Sequence, residues 1–339
     1  MNNTVNVAYC CSDFFSEVCA VSVVSLFENN RELESIDVYI LEYKISETNK
    51  QRFNKLAQEY GRKIHFVPMM EPSEYYKDKR FTFDSVGRTY GRMIWGDILP
   101  VAVHKLLSLD SDTMVLGSIE ALWNYDMEGK PIGGVDDCMG RVAMVKTQHL
   151  PEDARHCNAG MYIVDLDTWR KENWTELFRS YISNMFDKGI SLGGYEEEVI
   201  THTLNDRFFI FPPKYNLMTL EQVLTYEELI RFRQPKSYYS KEEITEALKD
   251  PVITHTTNFF YIRKRVFDAN SDHPQSNNYM KYRGLTPWKE DPLMKTHYSL
   301  KNRAIKGLWH CMPRPMAIRV ACFVRNEIRP LLKKKRDDI

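Results

Sequence analysis

The chain has 339 residues, 43% apolar and 27% charged, which is ordinary for one large soluble domain or two small ones. Its 46 basic side chains balance 46 acidic ones, so no global field points to nucleic acid, and no apolar run approaches the roughly 18 residues of a membrane span. Seven cysteines, with Cys10 and Cys11 adjacent and no C-x-x-C pair, favour neither a disulfide framework nor a zinc site and fit reduced thiols in a cytosolic compartment. The N-terminus lacks a basic stretch followed by an apolar core, so no signal peptide is expected and the expected location is cytoplasmic.

The first hundred residues alternate strand and helix signals. Val5 to Cys11 reads as a buried strand, Glu17 to Asn30 as an apolar helix, and Ile36 to Tyr43 as a second strand. Ser46 can cap a helix carrying Phe53, Leu56, Ala57 and Tyr60 at three- and four-residue spacing, which Gly61 ends. Ile64 to Val67 is a third strand, and the β-α-β-α-β order argues for a parallel sheet with right-handed crossovers. Thr89 to Ile98 reads as a helix ended by Pro100, and Lys105 to Leu109 as a strand delivering Asp110. Ile132 to Val135 and Met161 to Leu166 are further strands. Asp167 is placed to cap a helix reaching about Lys188, and Glu196 to Asn205 reads as another helix. The chain is less regular from Pro212 until the strand Val252 to His255. From Pro315, Met316, Ile318, Val320, Phe323, Val324, Ile328 and Leu331 alternate with Arg319, Arg325 and Arg329, ahead of Lys333-Lys334-Lys335-Arg336. A basic amphipathic helix of this kind can lie on an anionic membrane surface, and the competing reading is a helix packed on the domain.

The most informative triplet is Asp110-Ser111-Asp112 at a strand end. In an extended strand the two carboxylates would share a face while Ser111 points away. Two hard oxygen ligands with open positions suit Mg²⁺ or Mn²⁺ carrying a substrate diphosphate. Ser12-Asp13 lies at another strand end, where open α/β sheets bind ligands.

Taken together, the order of motifs resembles the family 8 retaining glycosyltransferases of the GT-A fold, the group that includes bacterial lipopolysaccharide galactosyl- and glucosyltransferases and glycogenin. The resemblance runs over roughly residues 5 to 290. It implies a single α/β domain over 1–290, with a mostly parallel central sheet flanked by helices, and a helical C-terminal extension over 291–339. Val7-Ala8-Tyr9-Cys10-Cys11-Ser12-Asp13 is similar to the family's first strand and nucleotide-contacting loop, which implies donor contacts from Cys10 and Ser12 and uracil recognition by Asp13. Thr89-Tyr90-Gly91-Arg92 resembles the family's T-Y-x-R segment, which puts Arg92 beside the donor. Lys105 to Asp112 looks like its D-x-D strand, with Ser111 at the donor. Asn158-Ala159-Gly160 matches N-A-G, and Asn158 would contact the donor sugar. His255 matches the third metal ligand, and the set Asp110, Asp112 and His255 suits Mn²⁺ better than Ca²⁺. Leu285-Thr286-Pro287-Trp288 resembles the end of the bacterial catalytic domains.

Two places depart from the pattern. The family's D-Q-D becomes Glu196-Glu197-Glu198, and the glycine-lysine motif after His255 becomes Thr-Thr-Asn258 followed by an insertion that ends in Arg263-Lys264-Arg265. The diphosphate-clamping cation is expected at Lys264, with Arg263 or Arg265 as substitutes. Glu196 matches the acid that holds a donor hydroxyl, and Glu198 reads as structural. Glu197 can act as a nucleophile or as a stabiliser during front-face attack, and the second is preferred. Asp136-Asp137 resembles a segment near the acceptor cleft.

The resulting expectation is a hexosyltransferase using Mn²⁺ or Mg²⁺ and a UDP-sugar, galactose or glucose favoured. Its acceptor would be a surface glycan or glycolipid such as lipopolysaccharide core or capsule. It would have no nucleic-acid partner and would sit peripherally on the inner face of a bacterial membrane. A non-catalytic sugar-nucleotide-binding protein is the alternative. A nucleotidyltransferase is disfavoured because the loop after the first strand is acidic and lacks glycine.

Overall fold

The computed structural model describes residues 4–140, 143–145, 149–151, 154–296 and 299–328, with the side chains of 301 and 302 set aside. Strand β1 (Thr4–Ser12) leads through helix α1 (Ser16–Glu28) to β2 (Ser35–Tyr43), and α2 (Glu47–Glu59) leads on to β3 (Lys63–Pro68). Ser46 does cap α2, accepting the Asn49 N–H. β4 (Lys105–Leu109), β5 (Thr113–Val115), β6 (Ile132–Asp136), β7 (Cys157–Asp165), β8 (Phe208–Ile210), β9 (Leu217–Met218) and β10 (Ile253–His255) follow.

Seven strands form one sheet in the order β3-β2-β1-β4-β7-β6-β8, and β5-β10-β9 form a small second sheet. β1–β2, β2–β3, β1–β4 and β6–β8 pair in parallel. β7 runs antiparallel to both β4 and β6, so the sheet is mixed but mostly parallel. The pleat of β1 shows why both faces are covered. Val5, Val7, Tyr9 and Cys11 join the core beneath α1 and α2, while Ala8 joins the core containing Trp95, Trp169 and Trp174 on the other face.

Two helical expectations change. Thr89 to Ile98 is a 3₁₀ turn (Tyr90–Met93) followed by one short helix (Trp95–Ile98), because Ile94 leaves helical dihedrals at φ −132°. The helix after β7 is two pieces, α3 (Leu166–Glu172) and α4 (Trp174–Asp187), broken where Asn173 turns left-handed at φ 51°. β7 begins earlier than expected, at Cys157, and ends at Asp165, one residue before the expected Leu166, so Asp165 rather than Asp167 becomes the cap, accepting the Asp167 and Thr168 N–H groups.

The remaining long helices are α5 (Tyr195–Leu204), α6 (Tyr226–Arg233), α7 (Lys241–Lys249), α8 (Ser276–Arg283), α9 (Leu300–Cys311) and α10 (Arg314–Phe323). Buried Glu17 of α1 ties α8 down, accepting Arg283 Nε at 2.9 Å and the Tyr279 hydroxyl at 3.1 Å. Trp288 then packs on Phe53 at 5.1 Å. α10 buries Ala317, Ile318 and Ala321, the last two in a cluster with Leu229 and Phe232 of α6, which is the packed-helix reading of this segment. Lys333-Lys334-Lys335-Arg336 lies outside the described residues. Among the described residues no helix is long and apolar enough to cross a membrane.

Candidate functional site

Asp110-Ser111-Asp112 is not extended strand. It is the turn that leaves the large sheet at β4 and enters the small sheet at β5, with the Thr113 N–H closing on the Asp110 carbonyl at 3.1 Å. The two carboxylates therefore share a direction because of this turn and not through strand alternation. Ser111 does point elsewhere, its hydroxyl donating to the Cys10 carbonyl at 2.8 Å. β10 pairs with β5 so that His255 stands opposite Thr113. This register puts His255 Nε2 at 3.3 Å from Asp110 Oδ2 and 3.2 Å from Asp112 Oδ1. One ligand atom from each of the three residues lies within 4.8 Å of the others.

The N-A-G segment sets the proton on His255. Asn158 Oδ1 accepts the Gly160 N–H at 3.0 Å and Asn216 Nδ2 at 3.0 Å, so this atom is the amide oxygen. It also lies 3.0 Å from His255 Nδ1, which must be the protonated nitrogen. In the neutral ring the Nε2 lone pair then faces two carboxylates, three acceptors with one cation-shaped gap between them. A Cβ at Gly160 would stand 2.2 Å from His255 Nδ1, so only glycine lets β7 pass this close. The donor set, two hard oxygens and one imidazole nitrogen, fits Mn²⁺ or Mg²⁺.

Cations flank the triad. Arg92, only 3% exposed, joins Asp110 to Glu196, and Thr89 also donates to Glu196. Of the three basic residues in the insertion, Arg265 reaches the site, with Nη2 at 2.9 Å from Asp112 Oδ2. Lys264 does not: its ammonium donates to the Ala269 carbonyl at 2.6 Å. The cause is Asp272, whose carboxylate accepts the backbone N–H groups of both Arg263 and Lys264 and folds the loop back. Burial opposes ionisation of Asp112, but His255 in its charged form, in which Nε2 also donates, and Arg265 outweigh it and hold its carboxyl below the usual range.

Beside the triad lies a cavity of about 230 Å³ walled by Cys10, Ser12, Phe15, Tyr43, Phe83 and Arg88 together with Asp110, Ser111 and Asp112. Tyr43 and Phe83 meet edge to face at 4.8 Å, making an aromatic wall for a flat base. Sequence reading missed Tyr43, Phe83 and Arg88. Tyr43 had a signal, the last residue of a strand at the carboxyl edge of the sheet. Arg88 and Phe83 had none beyond preceding the Thr89-Tyr90-Gly91-Arg92 segment. Asp13 does not line this cavity. Its Oδ1 accepts Ser46 N and Asn49 Nδ2, each at 2.8 Å, and these bonds overcome partial burial to lower its pKa. The Cys10 thiol is pushed up to about 12, chiefly by burial, and is no nucleophile.

The three glutamates open α5 and diverge. Glu196 meets Arg92. Glu197 Oε1 accepts the Ala159 N–H at 2.9 Å and Asn158 Nδ2 at 3.0 Å. Burial, then Asp137 and Glu196, raise the Glu197 carboxyl to about 7. Glu198 turns back to accept the Gly193 and Gly194 N–H groups and serves the helix start. At the end of β6, burial raises Asp136 to about 7 despite Arg155 at 2.5 Å. Asp136, Asp137 and buried His156 line a separate cavity of about 240 Å³.

Residues 6–257 match the profile described as Glycosyl transferase family 8. General stress protein A of Bacillus subtilis (strain 168) is 21% identical over 285 residues, covering 84% of this chain and 94% of that protein. Among solved structures, the apo WbbM bifunctional glycosyltransferase superposes with a TM-score of 0.68 at 16% identity, covering 85% of this chain. This chain spans only 51% of WbbM. The galactosyltransferase LgtC, solved with donor and acceptor sugar analogues, gives a TM-score of 0.67 at 14% identity, covering 89% of this chain and all of its own. At these identities the structural likeness speaks for the fold, which is GT-A.

Proposed function

The chain belongs to glycosyl transferase family 8, and we propose that it is a metal-dependent, retaining hexosyltransferase that moves galactose or glucose from a UDP-sugar to a surface glycan. The observation that carries this reading is the convergence of Asp110, Asp112 and the His255 Nε2 lone pair, the two aspartates also lining an aromatic-walled cavity. Asp110, Asp112 and His255 would hold Mn²⁺ or Mg²⁺, which when bound neutralises the departing diphosphate as a Lewis acid.

The remaining work falls to this chain's own residues. Tyr43, Phe83 and Phe15 receive the base, and Arg88 and Arg265 offer charge-assisted hydrogen bonds to phosphate oxygens. Arg92 fixes Asp110 and Glu196 against each other, so the ligand and the sugar-side acid hold one geometry. Glu197 is poorly suited to covalent attack. Its Oε1 already accepts two hydrogen bonds, and a pKa near 7 leaves much of it protonated at neutral pH. We therefore favour front-face attack, with Glu197 stabilising charge on the sugar ring.

Mn²⁺ titration followed by electron paramagnetic resonance tests the metal half without requiring the acceptor. Wild type should bind one Mn²⁺ and His255→Ala should weaken it by about 10–100-fold. Equal binding by both proteins would remove the basis of the reading. A non-catalytic nucleotide-sugar binder is the second reading, favoured by Lys264 folding away from the site. It would bind UDP and turn over no donor.

A further inference from the structure

The basic insertion divides its charges between two places. Arg265 turns to Asp112, whereas Arg263 and Lys264 line a separate cavity of about 640 Å³. Its other charged walls are Lys295, Arg303, Lys306 and Asp268, five cations against one carboxylate. That carboxylate is committed: Asp268 Oδ1 accepts the Thr296 N–H at 2.6 Å and Oδ2 the Arg265 N–H at 2.8 Å. Backbone carbonyls position two of the ammonium groups. Lys264 donates to Ala269 at 2.6 Å, and Lys306 donates to Ile262 at 2.7 Å. Among the described residues no ion pair joins Arg263, Lys264, Lys295 or Arg303 to a carboxylate. Gathering this much like charge around one hollow costs self-repulsion that a bound anion would relieve.

The helix that supplies the far wall is two-sided. Arg303 and Gly307 of α9 face the cavity, and Leu300, Ala304 and Leu308 form the next strip at four-residue spacing. Leu300 is 82% exposed and Leu308 61%, an apolar strip that no other described residue covers, beside a cationic hollow. This juxtaposition suits a phosphate ester carrying an apolar body better than a free sugar, which would need acceptors as well as donors.

We propose that this cavity is a second anion site that takes a phosphoryl group other than the donor diphosphate. The reading goes beyond glycosyl transfer and does not depend on it. The phosphoryl group can belong to a lipid headgroup or to a soluble phosphate ester, and the two sources are separable.

The test uses the full chain, with and without saturating UDP and Mn²⁺. Two probes are titrated: glycerol 3-phosphate by calorimetry, and phosphatidylcholine vesicles with and without phosphatidic acid by sedimentation. At least one phosphate probe should bind whether or not UDP is present. Lys295→Gln with Arg303→Gln should weaken it by about 10-fold or more, the scale of losing a charge-assisted hydrogen bond. The Lys295→Arg, Arg303→Lys pair should restore it, and the UDP affinity should not move. Preference for phosphatidic acid vesicles assigns the group to a lipid, and preference for glycerol 3-phosphate assigns it to a soluble ester. Loss of all phosphate binding once UDP is added would overturn the proposal, as would equal binding by wild type and the glutamine variant. Because the readout is binding, failure of sugar transfer leaves this result intact.

Discussion

Asn158 is the residue on which the site turns. Its amide oxygen fixes the His255 tautomer while its amide nitrogen holds Glu197, so the proposed metal side and the proposed sugar side share one side chain. Gly160 makes that possible by leaving room for His255. Glu197 gives the sharpest prediction at this scale. If the reaction is front-face attack, Glu197→Gln keeps transfer within about 10-fold, because the amide can hold the same two-sided geometry. The variant should also remove the Glu197 ionisation near pH 7 from the kcat/KM profile. A covalent route requires the opposite, a loss of about 10⁴-fold or more together with a trappable glycosyl-Glu197 in the wild type.

Among elements, the turn between β4 and β5 and the insertion after β10 do the positioning. Asp110 and Asp112 were legible from the triplet at a strand end, but the reason was not. Strand periodicity cannot foresee that the chain changes sheets there, since the pairing of β5 with β10 joins residues about 140 apart in sequence. The insertion misled for a local reason. Three consecutive basic residues look equivalent until Asp272 is seen to accept two of their backbone N–H groups. Arg265→Gln should accordingly lower kcat/KM for the UDP-sugar by about 10–100-fold, while Lys264→Gln stays within about 3-fold. Equal losses in steady-state assays, or the reverse order, would return the clamp to Lys264. The helix breaks at Ile94 and Asn173 were equally hidden, because each is a single dihedral excursion inside an otherwise helical pattern. The strands and helices through β3 were legible because their periods of 2 and 3.6 are uninterrupted.

For the whole molecule, two buried acids and half-buried Glu197 set a pH dependence. Asp136, Glu197 and Glu221 are each raised to about 7, burial being the first cause in every case. A raised carboxyl pKa contributes stability that is fully present below its unfolded value and lost as pH rises through the folded one. Buried His156 and His273 are lowered and act in the opposite sense, but their gain tapers off as pH passes the unfolded value of about 6.5 and is complete by about pH 7.5. From pH 6.5 to 8 these acids should thus lower stability by about 1 kcal/mol each, and Glu221→Gln should recover its share in denaturant melts. A flat wild-type profile, unchanged by the variant, would contradict this. The fold was legible as a whole because several motifs fell in one order, whereas sugar, linkage and acceptor have no such signature in the chain. The most direct test of the central claim is hydrolysis of a UDP-hexose panel by the full chain with Mn²⁺, repeated after chelation and with Asp112→Asn. The account predicts turnover of UDP-galactose or UDP-glucose that chelation and the variant each reduce by at least about 100-fold. UDP binding with no turnover of any donor would contradict it.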